Sequence, residues 1–308
     1  MIVGELPYRD VVRRLGGDGL TIRTGPFAVR IWSALPEVSQ AVHFLYTAHE
    51  LCESTGFADI HLRLDPGPFW RPGRIEVTVN GVLWGDCPRA ATVGYIEWGQ
   101  NYGIFSNAHD YLLLHAGVAE RNGRCVILPG QSRAGKSTLS AALSLNGWRL
   151  FTDEIGLLSP RSGMLEPLSR PAFLKGESLS VIGSNFPHAE LGPRGWFEED
   201  DVNHEIGHLR PQFDHVRQSH HPAEPGWLVF PRFVPGADAE LKATPRGEAF
   251  IRLARLTVNY SVLADIGFEC LATLVEKCEC FDFTYSRLDD AISTFRALAD
   301  RLPSEDAP

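Results

Sequence analysis

The chain has 308 residues, of which 44% are hydrophobic, and this length favours roughly two domains with buried cores, one large domain being the alternative. The formal net charge of −9 and the sequence pI of about 5.7 argue against a nucleic-acid partner, since phosphate contacts need a basic face. The first residues show no charged segment followed by an apolar run, and no stretch approaches about 18 consecutive apolar residues. We therefore expect a cytoplasmic protein with no membrane partner.

Residues 1–105 have the pattern of a small α+β domain. Apolar periodicity predicts a strand over 27–31, a helix over 37–51, a strand over 58–64 and a helix over 92–106. A hairpin is predicted where strands over 74–79 and 82–84 flank Asn80-Gly81, a pair typical of a type I′ turn. Tyr95, Trp98 and Tyr102 lie near one face of the last of these helices and are interpreted as core packing, not as a base-stacking site. The scattered histidines His43, His49 and His61 are interpreted as structural or surface residues.

A predicted strand beginning at Arg124 leads into Gly-Gln-Ser-Arg-Ala-Gly-Lys-Ser over 130–137, followed by a predicted helix. A G-x-x-x-x-G-K-S sequence between a strand and a helix is typical of a phosphate-binding loop, because glycines let consecutive N–H groups face a phosphate. The dipole of the following helix adds positive potential. The residues predicted to bind ATP are Gly130, Gln131, Ser132, Arg133, Ala134, Gly135, Lys136, Ser137 and Thr138. Lys136 would contact the β- and γ-phosphates and Ser137 would bind Mg²⁺. An ordinary glycine-rich turn is the alternative.

The strand that precedes the loop's own strand along the chain carries a histidine that is predicted to lie beside the loop. Residues 111–120 are predicted as a strand, and Asn122-Gly123 as a two-residue hairpin turn. Counting outward from that turn in antiparallel register sets His115 opposite Gly130, beside the phosphates. A core histidine on an apolar strand is the alternative, and a bulge at Pro129 would alter the register.

The strand after the loop ends in two acids. The loop's helix is predicted to stop near Leu145, before Asn146-Gly147, and 148–152 then forms a strand that ends at Asp153-Glu154. One carboxylate at this strand end can reach Mg²⁺ and the other an attacking hydroxyl. A solvated acidic turn is the alternative.

Downstream, 155–159 is predicted as strand, 167–176 as a loop leading to a short helix with Glu177, and 186–225 as a long substrate-facing or mobile loop. Residues 204–208 match the H-E-x-x-H zinc pattern, but Gly207 and Pro211 weaken the helix that this chemistry requires. We therefore expect no zinc site there. The later elements are predicted as a strand over 227–231, helices over 248–263 and 268–277, a strand over 281–285 and a helix over 288–302 with Ser286 as N-cap.

This combination of residues resembles the catalytic domain of HPr kinase/phosphorylase, which is itself similar to phosphoenolpyruvate carboxykinases. The likeness is closer to the HPr-kinase-related "kinase A" group and spans nearly the whole chain. The matching positions are His115, the loop over 130–137, Asp153-Glu154, Leu114-His115-Ala116, Trp148-Arg149-Leu150, His208-Leu209-Arg210-Pro211 and Asn259-Tyr260. We therefore expect an α/β fold with a P-loop kinase core over 106–308, preceded by the α+β domain over 1–105.

The resemblance implies a protein or peptide serine kinase that uses ATP and Mg²⁺. It implies these roles: His115 as an active-site histidine, Lys136 as the phosphate lysine, Ser137 and Asp153 as magnesium residues, Glu154 as the base, and Glu177 as a second magnesium carboxylate. Two departures stand out. Glu154 replaces the aspartate of the family, and the family's Arg-Pro-Gly-Arg segment has no match, Arg210 being a positional candidate only. The reverse phosphorylase reaction is therefore not implied.

We expect transfer of the γ-phosphoryl group of ATP to a hydroxyl, with a serine of a protein or peptide as acceptor. A small-molecule kinase on the same core and a non-catalytic ATP-binding sensor are the alternatives. The sequence leaves homo-oligomerisation open.

Overall fold

The computed structural model describes residues 1–53, 56–130, 135–199 and 201–301, and for Asp86 only the backbone. The contacts within the chain divide it into two compact units. The first unit comprises Met1–Ala108 and Leu168–His220, and the second comprises His109–Pro167 and His221–Pro308. Both units combine helices with β-sheets, so the predicted α/β class is confirmed at that level. Of the helices described, none is long and apolar enough to cross a membrane.

The described elements follow one another along the chain. The helices are α1 (Tyr8–Gly16), α2 (Pro36–Leu45), α3 (Thr92–Asn107), α4 (Lys136–Ser144), α5 (Glu177–Asn185), α6 (Phe213–Arg217), α7 (Arg246–Ala254), α8 (Tyr260–Lys277) and α9 (Leu288–Ala299). The strands are β1 (Leu20–Thr24), β2 (Phe27–Ser33), β3 (Ile60–Pro66), β4 (Arg74–Val79), β5 (Val82–Pro88), β6 (Leu112–Arg121), β7 (Arg124–Pro129), β8 (Arg149–Thr152), β9 (Ile155–Leu158), β10 (Leu165–Glu166), β11 (Ala172–Lys175), β12 (Leu191–Glu199), β13 (Val202–Leu209), β14 (Glu224–Phe233), β15 (Glu240–Ala243) and β16 (Glu279–Tyr285).

The first unit contains a five-stranded sheet in the order β1-β2-β3-β4-β5. The predicted hairpin is confirmed: Val79 pairs with Val82, and Asn80 and Gly81 have φ of 50° and 80°, as a type I′ turn requires. Helix α3 packs on this sheet through its glycines, since a Cβ added at Gly99 would lie 2.5 Å from Leu62 Cδ1. The helix predicted over 37–51 is shorter than expected and ends at Leu45.

The long loop predicted over 186–225 is wrong. Strands β12 and β13 form an antiparallel hairpin in which Glu199 pairs with Val202, and β11, inside the loop predicted over 167–176, pairs with β13. The side chains of β12 are mostly exposed or half-buried, and its sequence, Leu-Gly-Pro-Arg-Gly-Trp-Phe-Glu-Glu, has no continuous apolar face. Residues 168–220 were predicted within the second domain. They pack in the first unit because β12 contacts α2 and α3.

The second unit contains an eight-stranded sheet in the order β10-β9-β6-β7-β14-β16-β15, with β8 beside β6. Strands β7, β14 and β16 are parallel, while β6 is antiparallel to β7. One face of the sheet packs against α4 and α9 through Leu128, Leu139, Val229, Phe283 and Phe295. The other face packs against α7 and α8 through Leu114, Ile127, Leu228, Leu271 and Leu274.

The helical prediction over 248–263 is wrong at its centre. Helix α7 ends at Ala254 and α8 begins at Tyr260. Between them, the Asn259 side chain accepts a hydrogen bond from the Leu113 N–H (2.9 Å) and donates one to the Tyr111 carbonyl (2.8 Å). These tertiary hydrogen bonds replace helical ones, a competition that sequence periodicity does not reveal.

The N-cap predicted at Ser286 is also wrong. The Ser286 hydroxyl donates to the Ala237 carbonyl at 2.7 Å, and Arg287 is the residue that precedes α9. A hydrogen bond to a distant loop therefore takes the hydroxyl that the sequence pattern assigned to the helix end.

Candidate active site

The connection from β7 to α4 has a glycine at each of its two described ends. Gly130 follows β7, and Gly135 precedes α4 with φ 84°. This left-handed conformation favours glycine, and a Cβ at Gly135 would also lie 2.6 Å from Tyr285 Oη. Four of the predicted ATP-binding residues, Gln131, Ser132, Arg133 and Ala134, lie outside the described residues. The first N–H groups of α4, from Lys136 onward, begin at this turn, where a helix can receive an anion.

Lys136 is buried at the start of α4, with 7% of its surface exposed. Its Nζ donates a hydrogen bond to the Gly130 carbonyl, which folds the side chain back over the turn. Burial lowers the pKa of Lys136, while the carboxylates of Glu154 and Asp153 oppose that shift. The lysine and the acid pair therefore share one electrostatic environment. Ser137 and Thr138 follow in the first turn and are half-buried.

The acid pair lies beside strand β6. Strands β8 and β9 both run antiparallel to β6, and their register sets Asp153 opposite Gly117 and Glu154 opposite Ala116. The Ala116 N–H donates to the Glu154 carbonyl at 3.0 Å, which fixes the backbone between the two strands. Asp153 is buried and Glu154 is half-buried. The sequence prediction that two acids end the strand after α4 is confirmed by this arrangement.

Local hydrogen bonds hold the backbone around the acids. The Thr152 hydroxyl accepts from the N–H groups of Glu154 (3.2 Å) and Ile155 (3.0 Å). On the amino-terminal side, Arg149 Nε lies 2.8 Å from Glu120 Oε2, and both side chains are largely buried. This ion pair joins β8 to β6, so the position of the acids is determined from both sides.

The predicted hairpin register around Asn122-Gly123 is confirmed. Arg121 pairs with Arg124 and the pairing continues without a shift to Ala116 and Pro129, which leaves His115 next in line with Gly130. The side chain of His115 is half-buried. Burial lowers its pKa, as does the charge of Lys136, while Glu154 acts in the opposite direction. The imidazole is therefore neutral at pH 7 and can both donate and accept a hydrogen bond.

Helix α4 approaches β6 closely because Gly117 has no side chain. A Cβ at Gly117 would lie 2.3 Å from Ser140 Oγ, far inside van der Waals contact. The Ser140 hydroxyl is buried and, among the described residues, has no hydrogen-bond partner. Position 117 is also the one opposite Asp153, so α4 packs against β6 at the point where the acid pair lies beside that strand.

Two predicted site residues belong to the first unit. Glu177 is the first residue of α5, and Arg210 follows β13. The Arg210 guanidinium pairs with the Glu190 carboxylate and lies 5.0 Å from the centre of the Phe44 ring. The roles predicted for Glu177 and Arg210 stay predictions.

The H-E-x-x-H sequence lies on strand β13, not on the predicted loop and not on the helix that a zinc protease site requires. Over the described ranges, no group of three or more His, Cys, Asp or Glu side chains could hold a metal ion. Magnesium is commonly bound by one or two carboxylates together with substrate phosphates, so it needs no such protein cage. A hydroxyl and a buried carboxylate, from Ser137 and Asp153, are donors of the type that Mg²⁺ prefers.

An aromatic pair beside the turn was missed by sequence reasoning. The Tyr285 hydroxyl donates to the Gly135 carbonyl at 3.4 Å, and burial raises the pKa of Tyr285 to about 12, so the donor stays protonated. The Phe233 and Tyr285 ring centroids are 5.7 Å apart. Phe233 ends β14, which is parallel to β7 and pairs with it, and Tyr285 ends β16, the next parallel strand of the sheet. Ligands of α/β proteins commonly bind at this end of such strands. The tendency of ligands to bind at the carboxyl ends of parallel strands is the signal that could have identified these two residues from the sequence.

Comparisons with known proteins identify no family: no protein-family model matches this chain, and no curated protein matches it. We therefore infer the function from the residues of the site. They comprise a buried lysine, a neutral imidazole and two carboxylates beside a strand-to-helix turn. Such a set can bind a phosphate chain, bind a divalent cation with it and accept a proton.

Proposed function

We propose that this chain is an ATP- and Mg²⁺-dependent kinase that transfers the γ-phosphoryl group of ATP to a hydroxyl, with a serine of a protein or peptide as acceptor. The observation that carries the proposal is geometric: α4, which begins with Lys136 at the end of the G-x-x-x-x-G-K-S sequence, packs on β6 at Gly117, the residue opposite Asp153. A kinase that draws on cellular ATP would work in the cytoplasm, which is the compartment we propose.

The phosphate chain would contact Lys136 and the first N–H groups of α4, which together offer a positive charge and oriented donors. Ser137 and Asp153 would hold Mg²⁺, which supplies neutralisation of charge on the phosphate oxygens when bound. The carboxylate of the buried Asp153 would contribute one oxygen ligand, and phosphate oxygens and water would complete the shell of the ion. The half-buried Glu154 stays accessible to an acceptor.

In the transfer step, the acceptor oxygen forms a bond to the γ-phosphorus while the bond from that phosphorus to the β,γ-bridging oxygen breaks, and ADP leaves. The hydroxyl proton passes to the Glu154 carboxylate. His115, neutral and within the electrostatic reach of Glu154, orients that carboxylate or donates to an oxygen of the transferred group.

The test is a product assay with the purified protein, ATP labelled in its γ-phosphate and a lysate of the native host, with labelled species identified by mass. We expect a labelled polypeptide that disappears with Lys136→Ala and with Glu154→Gln. A labelled metabolite would identify a small-molecule kinase instead. ATP binding without any labelled product would favour a sensor module and contradict the proposal.

A further inference from the structure

Phe233 is an exposed aromatic residue beside the turn into α4. It ends strand β14 with 49% of its surface exposed, and its register partner is Tyr285, the last residue of β16. The two rings meet edge to face, at 75° between planes. Phe233 Cβ lies 3.5 Å from the position that a Cβ on Gly135 would occupy. An aromatic surface therefore adjoins the residue immediately before Lys136.

The order of the strands gives the nucleotide a direction. Strand β7, which leads into the turn, lies between β6 on one side and β14 on the other. The acid pair and His115 are on the β6 side, while Phe233 and Tyr285 are on the β14 and β16 side. If the γ-phosphate faces the acids across Lys136, the ribose and base leave the turn towards β14.

We infer that the Phe233 ring is the surface on which the nucleotide base stacks. This inference rests on the proposed function, since it takes the γ-phosphate to face the acid pair. Tyr285 supports the ring: it is buried, it contacts Phe233 and its hydroxyl is hydrogen-bonded to Gly135. The Val234 N–H donates to the Tyr285 carbonyl at 2.9 Å, which fixes the end of β14. Stacking on an aromatic ring adds affinity for any base without selecting among them.

The chain offers a closely matched control. Phe268 on α8 is 53% exposed and, like Phe233, meets another ring edge to face, with Phe250 at 5.3 Å. It belongs to the helical layer on the α7 and α8 side of the sheet, away from α4. Phe268→Ala therefore removes an equally exposed ring that has no place in the proposed base contact.

The experiment measures the affinities of Mg-ATP and of Mg-tripolyphosphate, which has neither base nor ribose, by calorimetry. Phe233→Ala is expected to weaken Mg-ATP binding by about 5- to 100-fold, the range that loss of one base-stacking contact gives. Phe233→Leu keeps the apolar volume but not the ring and is expected to lose most of the same affinity. Phe233→Trp keeps an aromatic ring and is expected to bind Mg-ATP about as tightly as the parental protein. Tripolyphosphate affinity stays unchanged in every variant, and Phe268→Ala changes neither affinity.

The outcomes separate the inference from the function on which it rests. Parental protein that binds neither ligand contradicts the proposed function. If Phe233→Ala binds Mg-ATP as tightly as the parental protein does, the stacking inference is overturned and the kinase proposal still stands. Equal weakening of Mg-ATP and tripolyphosphate by Phe233→Ala also overturns it, because the substitution would then act on the phosphate loop and not on the base.

Discussion

Gly117 and Ser140 determine how closely helix α4 lies against strand β6, and this contact can be tested with a pair of substitutions. Gly117→Ala places a Cβ 2.3 Å from Ser140 Oγ, so the helix or the strand has to move. Overpacking of this kind typically costs about 1–3 kcal/mol in the free energy of unfolding. Because α4 begins with Lys136, we also expect Mg-ATP affinity to fall.

Ser140→Ala, unlike Gly117→Ala, is not expected to lower the free energy of unfolding. The Ser140 hydroxyl is buried without a hydrogen-bond partner among the described residues, so its removal leaves the free energy of unfolding unchanged or raises it slightly. It also removes the atom that the new Cβ meets. The next nearest atoms to that Cβ, Ser140 Cβ and the Asp153 carbonyl oxygen, are both at 3.6 Å, which is ordinary contact. The double variant should therefore recover most of the stability and ATP affinity, with a coupling of about 1–3 kcal/mol.

Urea unfolding of the parent, the two single variants and the double variant gives this coupling directly. Gly247→Ala is the control, because a Cβ there, in the first turn of α7, meets nothing within 4 Å. We expect the control to be neutral or slightly stabilising. If the effects of Gly117→Ala and Ser140→Ala simply add, α4 is not held at this distance by the contact described.

Three further predictions follow from individual side chains. Lys136→Ala should cost Mg-ATP binding several kcal/mol, from charge-assisted hydrogen bonds of about 1.5–3 kcal/mol each, and an affinity within twofold of the parent in calorimetry would refute the loop assignment. His115→Ala should slow phosphoryl transfer with little loss of thermal stability, whereas early melting with normal turnover would make it a core histidine. Burial and the charge of Arg170 lower the pKa of His208 to about 3. The unfolded chain therefore binds a proton at this histidine below about pH 6.5, whereas the folded chain binds it only near pH 3. The free energy of unfolding consequently falls as the pH falls from 6.5 towards 3. His208→Leu should therefore lose roughly 2–3 kcal/mol less than the parent between pH 6.5 and 4.5 in urea unfolding, and equal losses would show that His208 does not titrate in this way.

The elements that the sequence predicts well are those with local signals. Asn122-Gly123 fixes a hairpin turn, and a period of two on either side then determines the register as far as His115. The acids after Thr152 were likewise found because a short strand directly follows the helix of the loop. In each case the residues that decide the structure are neighbours along the chain.

The missed features depend on residues distant in sequence. The contact between Tyr285 and Gly135 joins positions 150 residues apart, and no local pattern at either position indicates it. The break between α7 and α8 is determined by Asn259 bonding to the start of β6. Strands β12 and β13 were missed because their pairing compensates for a weak apolar pattern, as backbone hydrogen bonds can where one face stays exposed.

In the proposed kinase, the two acids would divide between them the two tasks that phosphoryl transfer needs from carboxylates. Asp153, buried opposite Gly117, would serve the metal, so Asp153→Asn should weaken ATP binding and its magnesium dependence together. Glu154, half-buried, would take the acceptor proton. Glutamine at position 154 keeps the size and hydrogen-bonding capacity of the side chain but cannot accept that proton.

The most direct test is therefore the rate of transfer from γ-labelled ATP to polypeptide in the native-host lysate, measured for Glu154→Gln beside the parent, with Mg-ATP affinity determined on the same preparations. We predict an affinity within about twofold and a transfer rate lower by roughly 10²–10⁴, the usual contribution of a positioned base. Transfer at the parental rate by Glu154→Gln would contradict the assignment of the base, and if Asp153→Asn also transferred at that rate, the kinase proposal itself would fall.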